Sequence, residues 1–284
     1  KNLTVPQNLM RLDFHRLTVA DRQAVQAITL QSGRRNCNFT FANLVGWQSW
    51  FGTEVCVLDD AVVLRFSHDG QRAYMLCMQG VPSCELLKAL CDDSSHNLIL
   101  LGLEDDAALQ LRQNACLEGI IVDVKSERDQ YDYIYKRDDL ALLQGGKLKA
   151  KRNHVNRFNA LYPGYEYRPL TPDLFDDCRK VVTLWQDEKE HENPSWGDTI
   201  KVEHDVMETT FAHWDELGML GGSIYVDGRM VAFTYGSAVT DDTFDVCMEK
   251  ADRNVEGAFS IINQQFCAHL PEQFTYVNRE EDMG

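Results

Sequence analysis

Two stretches hold the residue types that could do chemistry. The first is GGKLKAKRNHVNRFNALYP, where Lys147, Lys149, Lys151, Arg152 and Arg157 crowd together in a chain whose formal net charge is −16. On a helix over 147–161, Lys147, Lys151 and His154 share one face, Arg152, Asn156 and Asn159 the next, and Leu148, Val155, Phe158 and Leu161 the buried side. The second is FDVCMEKADRNVEGAFS. On a strand, Glu249 and Ala251 face one way, Met248 and Lys250 the other. The strand runs into a helix through DRNVEGA, a corner where backbone N–H groups can meet a pyrophosphate. Arg253 brings positive charge there, and Gly257-Ala258 leave room for close approach. The plainer alternative for that corner is a helix start with an acidic first turn.

These residues need elements to hold them. The 284 residues suffice for one large domain or two ordinary ones. An apolar share of 44% and an aromatic share of 10% can build a packed core. The spacing predicts a helix over 18–31, strands TEVCVL and AVVLRF around Asp59-Asp60, a turn at SHDGQ, then strand RAYMLCM. A helix from Pro82, the strand NLILLGL, a helix over 104–115 and strands IIVDV and QYDYIYK follow. The second half repeats that order. After the basic helix come two long helices, a hairpin turning on Asp227-Gly228, the strand DDTFDVCMEKAD, a helix over 255–270 and the strand QFTYVNRE. Both halves therefore read helix, hairpin, third strand, helix, strand, which suggests a structural duplication. The predicted domains are 1–140 and 141–284. The aromatic segment FTFANLVGWQSWFG reads as packing.

Charge and composition exclude several functions. An acidic chain is a poor general binder of DNA or an anionic membrane, although screening confines each charge to about 8 Å and lets a local basic patch act. No apolar run is long enough for a membrane helix, and KNLTVPQNLM shows no signal-peptide core, so the expectation is a cytoplasmic chain without membrane insertion. The nine cysteines form no CxxC pair and favour reduced thiols. The eight histidines show no zinc spacing, and EKEHEN at 188–193 reads as an acidic loop, so no metal is expected.

The strand-to-helix layout resembles the GNAT acyltransferase fold, whose Q/R-x-x-G-x-G/A turn cradles coenzyme A. Arg253 and Ala258 fall on the first and last positions, Glu256 stands where the first Gly belongs, and the Gly comes one place late at 257. A broader resemblance runs through FTFANLVGWQ, YDYIYKRDDLALLQGGKLKAKRNHVNRF, FDVCMEKADRNVEGAFSIINQQF and YVNREEDMG. These blocks are similar to the family named for the C-terminal domain of phosphatidylglycerol lysyltransferase, tandem-GNAT proteins related in fold to the Fem-type aminoacyltransferases. The resemblance implies an α/β fold of two GNAT-like domains, with the donor cleft in the second.

It further implies transfer of an acyl group from acyl-CoA or aminoacyl-tRNA to an amine or hydroxyl acceptor. Glu249 would be the base. Met248, Lys250, Arg253, Asn254, Val255, Glu256, Gly257 and Ala258 would line the donor site, with Lys147, Lys151 and Arg152 on its phosphates. His154, Asn156, Asn278 and Arg279 would stand at the acceptor side or the mouth of the cleft. Family likeness favours the tRNA donor, and the net charge favours the compact coenzyme A donor. Three alternatives stand beside this reading: a solvated helix, a structural Glu249–Lys250 pair, and a non-catalytic ligand-binding protein that keeps the fold.

Overall fold

The computed structural model describes residues 10–94, 97–117, 119–126, 128–192 and 197–281. Strands in chain order are β1 (His15–Arg16), β2 (Glu54–Val57), β3 (Ala61–His68), β4 (Gln71–Met78), β5 (Leu100–Leu101), β6 (Ile134–Lys136), β7 (Glu166–Pro169), β8 (Leu220–Val226), β9 (Arg229–Ala238), β10 (Thr243–Ala251) and β11 (Tyr276–Asn278). Helices are α1 (Arg22–Thr29), α2 (Phe41–Gly46), α3 (Gln48–Phe51), α4 (Cys84–Ser94), α5 (Asp105–Arg112), α6 (Arg137–Leu142), α7 (Lys149–Leu161), α8 (Phe175–Glu192), α9 (Gly197–Ala212), α10 (Trp214–Leu217) and α11 (Ala258–His269).

The chain divides into two compact units. The first takes residues 1–34 and 48–127, the second residues 35–47 and 128–284. The split drawn from the sequence at 140/141 falls inside α6, and β6 before it already pairs with β11 of the second sheet. A short piece of the first half, including α2, also belongs to the second unit.

Each unit holds one mixed sheet, the α/β architecture expected from the sequence. In the first the order is β1-β2-β3-β4-β5, antiparallel except for the parallel pair β4–β5, which α4 connects. In the second it is β6-β11-β10-β9-β8-β7, antiparallel except for β10–β11, which α11 connects. Each unit thus carries the meander, crossover helix and parallel strand of a GNAT-like domain. The hairpin turns are those their residues demand. Asp69-Gly70 and Asp227-Gly228 both have positive φ, the two-residue turn that matches strand twist.

Alternation fixes which side chains are buried. In the first unit Cys56, Ala61, Val63, Tyr74, Leu76, Leu86 and Leu90 form a core under α4. In the second, α7 and α11 close one face of the sheet, with Val155 and Phe158 of α7 packed among Val231, Ala251, Val255, Ala258 and Ile261. Phe244, Val246, Phe266, Cys267 and Val277 form a neighbouring cluster. Phe39 and Phe41 are buried as the packing reading of the aromatic segment requires, but Trp50 and Phe51 are exposed.

Two sequence expectations change here. IIVDV is not a strand: residues 121–126 have no regular structure, and Ile121 is 97% exposed. A strand needs a neighbour's backbone groups, and none among the described residues pairs with this run. The cysteines are not all thiols: Cys84 and Cys116 form a disulfide, and seven are free. Its partners are 32 positions apart, so no local spacing reveals it.

Candidate functional site

The site lies where β10 and β11 part. Their paired register ends at Asp245 opposite Asn278, while β10 continues to Ala251. A bulge follows on β10 between Asp245 and Met248, in its pairing with β9. The bulge inserts one residue and shifts the facing of everything after it. Phe244 and Val246 pack toward α11, and so does Glu249 beyond the bulge. Asp245, Met248 and Lys250 face the other side, against Asn43 of α2, Tyr235 and Glu203 of α9. Gly236 makes the bulge possible, because a Cβ there would stand 1.8 Å from the Asp245 carbonyl.

On the α11 face, Glu249 is the centre. Its side chain is 9% exposed; Oε1 accepts from Arg279 Nη2 at 2.8 Å and Oε2 from Asn263 Nδ2 at 3.3 Å. Burial raises the carboxyl's pKa, and Arg279, Asn263 and Lys151 pull it back only in part. Lys151, on the first turn of α7, is half-buried and lies 5.4 Å from the Tyr135 ring centroid. Burial lowers its pKa, the Arg279 charge lowers it further, and Glu249 opposes both. Cys267 is buried close by; burial and the Glu249 charge push its thiol up to about 12. One cation, Arg279, therefore pairs with the buried carboxylate, and a second, Lys151, acts on it through its field. That arrangement suits a group which takes up a proton beside a developing negative charge.

The opposite face of β10 holds a second polar cluster. Asn43 Nδ2 donates to Asp245 Oδ2 at 3.1 Å and to Glu280 Oε1 at 2.7 Å. Burial and the mutual repulsion of Glu280, Asp132 and Asp245 raise both the Asp245 and Glu280 carboxyls well above their ordinary range. Asn278 orders the tail: Nδ2 donates to Asp132 Oδ2 and the Arg35 carbonyl, and Oδ1 accepts from the Glu280 N–H. Glu280 itself takes a left-handed φ of 58°. The tail thus sends Arg279 to one face of β10 and Glu280 to the other.

Of the sequence candidates, Lys151, Glu249 and Arg279 come together. Others do not. Lys250 Nζ pairs with Glu203 at 2.7 Å and sits 3.6 Å from the Trp185 ring centroid. That excludes the Glu249–Lys250 structural pair as well as a Lys250 on the Glu249 face. Met248 accepts a hydrogen bond from the Tyr235 hydroxyl at its sulfur. Arg152 donates to the Leu143 and Gly145 carbonyls and closes the end of α6 instead of reaching a phosphate. Lys147 precedes α7 and is exposed, so the predicted helical face loses its first member. His154 and Asn156 are exposed on α7.

The corner before α11 departs most from expectation. A Cβ on Gly257 would meet the His154 carbonyl at 2.7 Å and Phe158 at 2.9 Å, so α7 packs directly against the corner and leaves no room for a side chain there. The N–H groups of Val255 and Ala258 bond to the Asp252 and Val255 carbonyls, and that of Asn254 to Asp252 Oδ1. Val255 and Ala258 are core residues, Arg253 is exposed, and Glu256 is paired with Arg157 at 3.4 Å. The side chains of EKEHEN, and the residues 282–284 that end the tail, lie outside the described residues.

Sequence reading missed Tyr135, Asn263, Cys267, Asn43, Asp245 and Glu280. Asp245 left a signal: a carboxylate inside an apolar strand, FDVCM. Asn43 and Asn263 left none, since each is one polar residue on a helix. Among the described residues no helix is long and apolar enough to cross a membrane.

A family model described as phosphatidylglycerol lysyltransferase, C-terminal, matches residues 30–282. A conserved protein of unknown function from Bacteroides thetaiotaomicron is 36% identical, with a TM-score of 0.85 over 96% of this chain and 91% of that one. The C-terminal domain of a protein described as a lysylphosphatidylglycerol synthetase from Agrobacterium fabrum shares the fold at 13% identity, with a TM-score of 0.59 over 93% and 79%. No curated protein matches.

Proposed function

Because the chain belongs to the family of the phosphatidylglycerol lysyltransferase C-terminal domain, we propose that it is an acyltransferase, moving an aminoacyl group from an ester donor to an amine or hydroxyl acceptor beside Glu249. The observation that carries this reading is the buried Glu249 carboxylate held by Arg279 and Asn263 with Lys151 at its edge. The acceptor nitrogen or oxygen attacks the ester carbonyl and passes its proton to Glu249. The carbonyl oxygen becomes an oxyanion and meets the positive field of Lys151 and Arg279. Collapse breaks the C–O bond to the donor, and the proton on Glu249 leaves with the departing alcohol. Arg279 and Asn263 fix the carboxylate's position throughout.

Two donors carry the required acyl group, aminoacyl-tRNA and acyl-CoA. The close approach of α7 to Gly257 and the Glu256 carboxylate beside it crowd and repel a coenzyme A pyrophosphate, so we favour the tRNA ester. A small part of the tRNA, its acceptor end, would meet the cations of α7 while the acidic surface repels the rest. The same crowding favours one second reading, a ligand-binding protein that keeps the fold and performs no transfer. One experiment separates the three. The protein is incubated with a mixed pool of aminoacyl-tRNA or with acetyl-CoA, in the presence of amine and hydroxyl acceptors, and loss of the ester or thioester is followed. Ester loss that disappears in Glu249→Gln supports aminoacyl transfer. Thioester loss alone assigns the coenzyme A donor. Neither, with a melting shift by either donor, assigns the binding protein.

A further inference from the structure

The polar cluster on the far side of β10 plays no part in the transfer just described. Asp245, Cys247 and Glu280 each present a donor atom, and these atoms all lie within 4.8 Å of one another. Cys247 Sγ is 3.8 Å from Asp245 Oδ2. Donors about 2.0–2.3 Å from a tetrahedral zinc stand roughly 3.5 Å apart, so small side-chain shifts bring all three onto one centre.

A cluster of acids is a common sight without any ion, and further observations set this one apart. Asp245 is fully buried, and its Oδ1 has no hydrogen bond of full geometry, the nearby Thr40 hydroxyl being its one weak neutral donor. Its cross-strand neighbour Ser237 is 1% exposed, and its Oγ is likewise unpartnered. Cross-strand partners point to the same face of a sheet, so both oxygens stand on the cluster's side of β10. Leaving such atoms unpaired is costly, and a buried carboxylate without a cation costs more. Among the described residues neither Asp245 nor Glu280 is ion-paired with a Lys, Arg or His; Asn43 alone bridges them. Cys247 and Glu280 are less buried than Asp245.

We propose that Asp245, Cys247 and Glu280 form a binding site for a divalent cation of the zinc class, with a fourth position left for water. One thiolate and two carboxylates are the donor set of a borderline metal and too soft for magnesium or calcium. On binding, the Cys247 thiol and the protonated carboxyls give their protons to solvent, the sulfur bonds the metal, and Asp245 and Glu280 each contribute one oxygen. The Asn43 amide stays as an outer partner, fixing the two carboxylates as a histidine's neighbour fixes the ring. Asp245 and Cys247 stand two apart on β10 and so share a face, and the left-handed turn at Glu280 brings the third donor to them.

The test uses the whole protein, stripped with a chelator and titrated with cobalt(II) as a spectroscopic stand-in. The expected result is a near-ultraviolet thiolate-to-cobalt band that saturates at one equivalent and is displaced by zinc. Cys247→Ser should abolish the band, Glu280→Gln should weaken binding at least about ten-fold, and Cys91→Ser, an exposed thiol elsewhere, should leave it unchanged. Circular dichroism checks that each variant folds. Should Cys247→Ser not fold, zinc content of the untreated protein by elemental analysis takes its place, with one equivalent expected. Absence of the band together with absence of bound zinc overturns the proposal, as does a band that survives in folded Cys247→Ser.

Discussion

Glu249 and Arg279 are joined by a 2.8 Å ion pair across the gap where β10 and β11 separate, the carboxylate sealed and the guanidinium half open. The strand brings the carboxylate, the segment after β11 brings the guanidinium, and α11 holds the carboxylate's other oxygen through Asn263. A proton-accepting group needs that immobility, because transfer depends on distance more than on affinity.

Glu249→Gln keeps the size and one of the two accepted hydrogen bonds, from Arg279 or from Asn263, and removes the proton acceptor. Single-turnover ester transfer should fall by roughly 10²–10⁴-fold, far more than the modest loss of melting temperature accounts for. Retained activity would move the base elsewhere.

Arg279→Ala leaves a buried carboxylate without its cation. Since Arg279 is partly open to water, the loss should be about 2 kcal/mol, less than for a fully buried pair. The double variant with Glu249→Gln should recover part of that loss in urea melts. Strictly additive losses would show that the two residues do not interact.

Gly257→Ala tests the closed corner. Its φ of 84° disfavours a side chain, and the Cβ would press on the His154 carbonyl and Phe158. A loss of roughly 2–3 kcal/mol is expected. A neutral substitution would mean that α7 lifts from the corner easily.

Acid should weaken the second unit through Asp252. Burial works against this carboxylate, but hydrogen bonds from Arg229 and the Asn254 N–H outweigh it and hold its pKa below the ordinary value. A depressed folded pKa stabilises above the unfolded value, near 4, and that contribution fades as pH falls through the folded one. Asp252→Asn should therefore cost about 1 kcal/mol at pH 7 and nothing at the acid end, where the two proteins' urea midpoints converge. A gap that stays constant with pH would refute the linkage.

What the sequence made legible was local. The Asp227-Gly228 turn, the strand carrying Glu249 and the helix carrying Lys151 each follow from neighbours in the chain. Lys151 and Glu249 could be placed on the right faces because period and alternation are short-range rules. The crowding at Gly257 was not legible, because it arises from His154 and Phe158 on another helix. Nor was the bulge, since Gly236 and Asp245 meet only once β9 and β10 pair. IIVDV had the composition of a strand and lacked a partner, which no pattern within the run can reveal.

The excursion of residues 35–47 into the second unit has a practical corollary. Asn43 and Arg35 arrive from ahead of the first sheet's central strands, and both grip groups on β10, β11 or the loop before β10. Severing the polypeptide near 128 would strip the later fragment of a helix and of the amide that spans two carboxylates. The two sheets can thus be swapped or studied apart only by transplanting that thirteen-residue insert along with the second one.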